Sequence, residues 1–217
     1  MATLLPNLDN PFNQQFGHPR ERVVNKVKDA LPEPVKDFIR QSPFLVMATS
    51  NRAGWCDASP KGGMPGFVKI LDERHLLIPD IAGNKLFQSY LNMSDNPRVG
   101  LVFFIPGCPD VARVNGTVTI VSAEQVKRLE VEAAVHNPDD RTVVLQGILI
   151  EVEEAYGHCP RALNFGRVWD VERIQANGAT QRIVNPGTKL PASQSGVPEA
   201  AGQPASPEPL ACDTIGA

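Results

Sequence analysis

Asp57, Ser59 and Lys61 occupy alternate positions and run directly into Gly62 and Gly63, with Pro65 and Gly66 close behind. On a strand, residues two apart share a face, so a carboxylate, a hydroxyl and an ammonium project together. Glycines beside them let backbone N–H groups come close to an anion. The stretch reads as half of a site for a phosphate-bearing cofactor, the other half coming later in the chain. A solvated row of Asp, Ser and Lys has the same local pattern, but an ordinary exposed hairpin does not need so many flexible positions.

Later residues offer matching chemistry. Asn84 fits the N-cap of a helix with Leu86, Phe87, Tyr90 and Leu91 on its apolar face. Lys85 then falls in the first turn, where a cation opposes the helix dipole and a bound phosphate relieves the conflict; an ordinary exposed lysine is the alternative. Arg113 lies mid-strand, where it must be exposed or paired. His158, Cys159, Arg161 and Trp169 sit together in the segment AYGHCPRALNFGRVWD, read as a short helical piece that docks somewhere specific. His158-Cys159 suggests a metal, yet His18, His75 and His136 show no ligand spacing with it, and Trp169 is by default a packing residue. P-loop, GxGxxG, GxSxG and HExxH signatures are all missing, which removes the common nucleotide, hydrolase and protease readings.

The elements that must position these residues are mostly strands. Residues 1 to about 18 read as irregular. A helix with Val23, Val24, Val27 and Leu31 on one face ends at Pro32 and Pro34, and a shorter one carries Val35, Phe38 and Ile39. Phe44–Thr49 and Trp55–Lys61 form a hairpin, as do Phe67–Leu71 and His75–Pro79. Arg98–Pro106 reads as a buried strand. Val111–Val121 is a long alternating strand with Val114, Gly116, Val118 and Ile120 on one face. Ser122 with Gln125 makes a capping box for a helix running to about Ala134. A last strand falls within Arg141–Glu153, with a bend or bulge at Gly147. About seven short strands with tight turns and two inserted helices indicate an antiparallel barrel rather than a βαβ sheet. Residues 1–42 form a helical lead-in, 43–176 the barrel domain with its docking segment, and 185–217, rich in Pro, Ala, Ser and Gly, a disordered tail.

The 217 residues carry a formal net charge of -3. That balance gives no general pull towards nucleic acid or anionic membrane, so any anion site is local. Neither a secretory signal nor a membrane-length apolar run is visible. The four cysteines, Cys56, Cys108, Cys159 and Cys212, are far apart and read as free thiols of a cytoplasmic protein.

The stretches DASPKGGMPGF, LLIPDIAGNKLFQSYLNMSDNPRVGLVFFIPG and ARVNGTVTI, in that order and spacing, resemble the FMN-binding split barrels related to pyridoxamine 5'-phosphate oxidase. HCPRAL…W resembles the closing motif of one subgroup. The resemblance implies a mainly β fold, a six-stranded antiparallel split β-barrel with a few flanking helices, working as a homodimer with FMN in the cleft between subunits. It implies that Ser59 and Lys61 hold phosphate or ribityl, that the Met64–Phe67 backbone, including Gly66, borders the flavin ring, and that Asn84 and Lys85 grip phosphate or ring oxygens. Arg113 would reach the flavin or its phosphate, and His158, Cys159, Arg161 and Trp169 would complete the cleft. Pyridoxamine phosphate oxidases proper carry Arg-x-Val-Leu-Leu-Lys where this chain reads GFVKILDER, and a different C-terminal motif. The expectation is therefore an FMN-dependent oxidoreductase acting on a small molecule, not pyridoxamine phosphate oxidation itself. The rivals are a flavin- or haem-binding barrel without turnover, His158 serving as axial ligand to haem, and a deazaflavin (F420) reductase.

Overall fold

The computed structural model describes residues 8–140 and 142–179. The chain enters through α1 (Pro11–Phe16), capped by the Asn10 side chain, and α2 (Glu21–Asn25). Lys28 then pairs with Ala155 as an isolated bridge. α3 (Glu33–Gln41) starts at the two prolines, Pro32 being its N-cap and Pro34 in its first turn, where a missing N–H costs nothing. Val35, Phe38 and Ile39 face inward from it.

Seven strands follow: β1 (Phe44–Ser50), β2 (Cys56–Gly62), β3 (Lys69–Ile70), β4 (His75–Ile81), β5 (Arg98–Phe104), β6 (Val111–Ser122) and β7 (Val144–His158). They lie in one antiparallel sheet of order β2-β1-β5-β6-β7-β4-β3. Helix α4 (Gln88–Asp95) bridges β4 and β5, and α5 (Ala123–Arg128) bridges β6 and β7. Past β7 come α6 (Arg161–Gly166) and α7 (Val171–Ala179). One face of the sheet builds the core, with Leu45, Met47, Leu101, Phe103, Val114, Ile148 and Ile150 packed against Val35, Phe38 and Ile39 of α3.

The hairpin expected from Phe44 to Lys61 forms in register, Met47 opposite Ser59 and Leu45 opposite Lys61. Because cross-strand partners share a face, Asp57, Ser59 and Lys61 point to the same side as Thr49, Met47 and Leu45. β2 is an edge strand and contains Pro60, as proline in a sheet requires.

Several expectations are corrected. The mainly β antiparallel sheet with flanking helices is present, with the seven strands read from the residues and not the six that the resemblance implies, and it does not close, since β2 and β3 remain at its two ends. β3 shrinks to two residues because Gly66, at φ 82°, and Pro65 hold the preceding chain in a turn. α2 stops at Asn25 instead of reaching Leu31, and α5 at Arg128 instead of Ala134. Residues 11–16, read as irregular, are helical because Asn10 accepts hydrogen bonds from the backbone N–H groups of Phe12 and Asn13. Phe44–Phe104 pairing leaves β5 buried on one face only, Val99, Leu101 and Phe103 inward. Ile120 turns outward, 38% exposed. Ala155–His158, read as helical, extends β7. The expected tail, residues 185–217, with Cys212, lies outside the described residues.

The expected capping box is present. Gln125 N donates to Ser122 Oγ at 3.3 Å and Ser122 N donates to Gln125 Oε1 at 2.8 Å. Ser122→Ala is expected to cost about 1 kcal/mol of unfolding free energy in denaturant titrations. An unchanged midpoint would show that the cap contributes nothing.

Candidate functional site

Where β2 meets the end of β4 and the start of α4, a cleft of about 250 Å³ opens; Ser59, Lys61, Asp80, Asn84, Lys85 and Tyr90 are among its lining residues. β2 supplies its row of alternate polar residues from the edge of the sheet, and residues Gly83 to Phe87 of the loop before α4 line the cleft as well.

The loop departs from expectation. Asn84 does not cap the helix; its Oδ1 accepts from Leu86 N at 3.1 Å, a local turn. α4 begins at Gln88, with Phe87 at its N-cap in the left-handed conformation and no side-chain cap. Lys85, expected in the first helical turn, precedes the helix and is itself left-handed, φ 63°. The uncapped first turn of α4 is left to offer its N–H groups at the cleft.

The cleft mixes charges. Lys61 Nζ lies 3.7 Å from Asp80 Oδ1, with the two side chains 22% and 14% exposed. That is an ion pair too long to be a hydrogen bond, so the ammonium keeps its donors. Ser89 Oγ donates to Asp57. The Tyr90 hydroxyl is buried and finds no partner of good geometry among the described residues, although Asp80 and Gln146 stand near it. Burial first, then the Asp80 carboxylate, push this phenol far above its ordinary range, so it remains a neutral donor. A buried, unpartnered hydroxyl at a cleft with two lysines fits a ligand rich in acceptor oxygens.

The structure brings Ser59, Lys61, Asn84 and Lys85 together here. Met64, Gly66 and Phe67 are not among the lining residues: Met64 N donates to Ala134 O and Phe67 is 5% exposed. Arg113 pairs with Val102, and through it with Val46 and Pro60, on the opposite face of the sheet from Lys61. It stands instead beside Tyr156 and His158 of β7. Arg161 opens α6, its guanidinium 4.8 Å from the Phe165 ring centre. Cys159 is exposed, and the Trp169 indole N–H is buried without a partner among the described residues. Sequence reasoning missed Asp80 and Tyr90 as cleft residues. Asp80 follows an apolar run and looks like a loop start, and Tyr90 matches the helix's apolar stripe, so neither carries a local signal of its own.

His158 is held below its ordinary value of 6.5 by burial, then by the Arg113 guanidinium and the Lys26 ammonium. A histidine whose folded value is depressed binds fewer protons than in the unfolded chain, so stability falls as pH drops through the window below 6.5. Asp72, lowered by the Arg74 backbone N–H and the His75 side chain, adds a second loss below 3.8. Thermal melts on acidification should therefore decline in two steps, the first absent in His158→Gln. A first step that survives the substitution would assign it elsewhere.

Among solved structures, HupZ of Group A Streptococcus is 19% identical, with 58% of this chain and 92% of that chain covered at a TM-score of 0.45. General Stress Protein 26 of Bacillus anthracis is 14% identical, covering 58% and 91% at 0.40. An F420 reductase is 17% identical, covering 58% and 98% at 0.38. No curated protein matches the chain. The family model of pyridoxamine 5'-phosphate oxidase matches residues 31–159, a span that takes in α3, all seven strands and the cleft, and the chain belongs to that family.

Proposed function

We propose that the chain is an FMN-binding flavoprotein, an FMN-dependent oxidoreductase of a small molecule that works as a homodimer. The observation that carries this reading is the cleft itself, where Ser59, Lys61 and Lys85 meet the uncapped start of α4 and the orphaned Tyr90 hydroxyl. Membership of the family supports a flavin over other phosphate-bearing cofactors. Lys61 and Lys85 neutralise the phosphate, Ser59 and Tyr90 donate to its oxygens or to those of the ribityl chain, and Asp57 and Asp80 accept from ribityl hydroxyls. Bound there, FMN supplies the hydride chemistry, and the protein supplies position and electrostatics.

The cleft is smaller than the roughly 300–1,000 Å³ of ordinary ligand pockets. One chain thus accommodates the polar end of the cofactor and leaves the ring to be covered by a second copy. Cys159, Arg161 and Trp169, with the exposed apolar residues Phe165, Val171 and Ile174 around them, are the segment suited to that cover.

The test is the visible spectrum of the purified protein mixed with FMN, followed through gel filtration with light scattering. Flavin bands eluting with a particle of twice the chain mass are expected. A featureless protein peak, with all FMN eluting free, would overturn the cofactor assignment. Retention of a deazaflavin in its place would move the chain to F420 chemistry, and a Soret band to haem at His158.

A further inference from the structure

On the face of the sheet away from the cleft, three cationic or titratable side chains gather around one ring. Lys26 Nζ, just past α2, lies 5.7 Å from the Tyr156 ring centre. The Arg113 guanidinium of β6 lies 5.5 Å from the same centre. The His158 ring is 6.1 Å from it, tilted edge-on. The register of β6 and β7 dictates the arrangement, since Arg113 is paired with Tyr156 and His158 lies two residues further along the same strand. Lys26 is brought in by the neighbouring bridge of Lys28 to Ala155.

What sets this cluster apart is what it lacks. Arg74, Arg98 and Arg167 each pair with a carboxylate. Among the described residues, neither Lys26 nor Arg113 has such a pair, and Arg113 Nε is buried with no hydrogen-bond acceptor. The nearby carboxylate of Glu154 is engaged by Asn115 Nδ2 at 2.6 Å. Tyr156 offers each cation some attraction, but that ring cannot offset their mutual repulsion in a half-buried place. Gathered positive charge with an orphaned guanidinium N–H is the electrostatic inverse of an oxyanion. Donors from three separate segments standing around one ring suit the several oxygens of a phosphate better than the pair on a carboxylate.

We propose that Lys26, Arg113 and His158 form a second anion site, around the Tyr156 ring and separate from the cleft, which binds a small phosphorylated molecule. The charged and titratable groups around it are Lys26 from the lead-in, Arg113 from β6 and His158 from β7, with Glu154 two residues before Tyr156 on the same face of β7. The site stands on its own geometry and does not require that the cleft binds FMN.

The test follows the histidine ring resonances by NMR in pH titrations, with inorganic phosphate against sodium chloride of equal ionic strength, using His158→Gln for assignment. Phosphate is expected to raise the His158 midpoint by about one unit, the low end of what an opposite charge at contact distance produces. His18, His75 and His136 should not follow. The rise should vanish in Arg113→Gln and shrink in Lys26→Gln, which also serves if the arginine variant does not fold, and it should persist in Lys61→Ala. No rise beyond that in chloride, or an equal rise in both cluster variants, would overturn the proposal. A rise produced by FMN and competed by phosphate would also overturn it, by making the cluster part of the cofactor's own site.

Discussion

Alanine at position 61 is expected to weaken FMN binding by about 1–3 kcal/mol, roughly 5- to 150-fold in Kd, the size of a charge-assisted hydrogen bond lost from a partly enclosed site. The lysine is well placed for that effect. It is mostly covered, its nearest carboxylate is 3.7 Å away, and it is not hydrogen-bonded to it. Its removal also leaves Asp80 uncompensated, so the cleft turns from balanced to repulsive for a phosphate. Asp80→Asn should move affinity the other way, because it removes a competitor for the ammonium. Lys61→Arg should recover much of the loss, since it restores the charge and adds a planar fork. Isothermal titration with melting curves on the same samples separates binding from folding. Unchanged affinity in Lys61→Ala would take this residue out of the site.

Gly116→Ala is expected to be among the most damaging small substitutions in the chain, costing about 3 kcal/mol or more, at the top of the range for overpacking. The glycine sits where the β6–β7 pairing shifts register. A Cβ there would meet the carbonyl oxygen of Glu151 at 2.1 Å and the Ile150 side chain at 3.2 Å. The first contact is with backbone in the centre of the sheet, which cannot swing aside as a side chain can. A fall of about 6–12 °C in melting temperature is expected for a chain of this size. Gly83→Ala is the comparison, since its Cβ would meet nothing within 4 Å, and it should melt like the parent. Equal melting of the two variants would show that the sheet yields at the bulge.

Much of this was legible in the chain. The β1–β2 hairpin, the alternation in β6 and the Ser122–Gln125 cap are local patterns, and local patterns determine local structure. Lys61 and Ser59 announced themselves because strand periodicity puts them on one face beside a run of glycines. What the sequence hid depends on partners far along the chain. The end of β7 reads as helical from Ala155 onward, but pairing with β6 holds it extended to His158, tertiary contact overriding local texture. Asn84 looks like a helix cap, yet two left-handed residues, Lys85 and Phe87, intervene before the helix, and nothing in their types signals that backbone. Arg113 and Lys61 both look like anion ligands. Only the strand register shows that they face opposite ways.

The placement of β2 at the end of an open sheet bears on how the protein behaves in a crowded solution. An open edge is a template on which a foreign strand can grow, the usual first step to fibrils. Here that edge carries Pro60, which has no N–H to offer, between Asp57 and Lys61, whose opposite charges would have to be dehydrated by any strand laid alongside. The polar row of the cleft therefore also guards the molecule against stacking on itself. Substitutions that make it apolar should be judged for aggregation as well as for ligand binding.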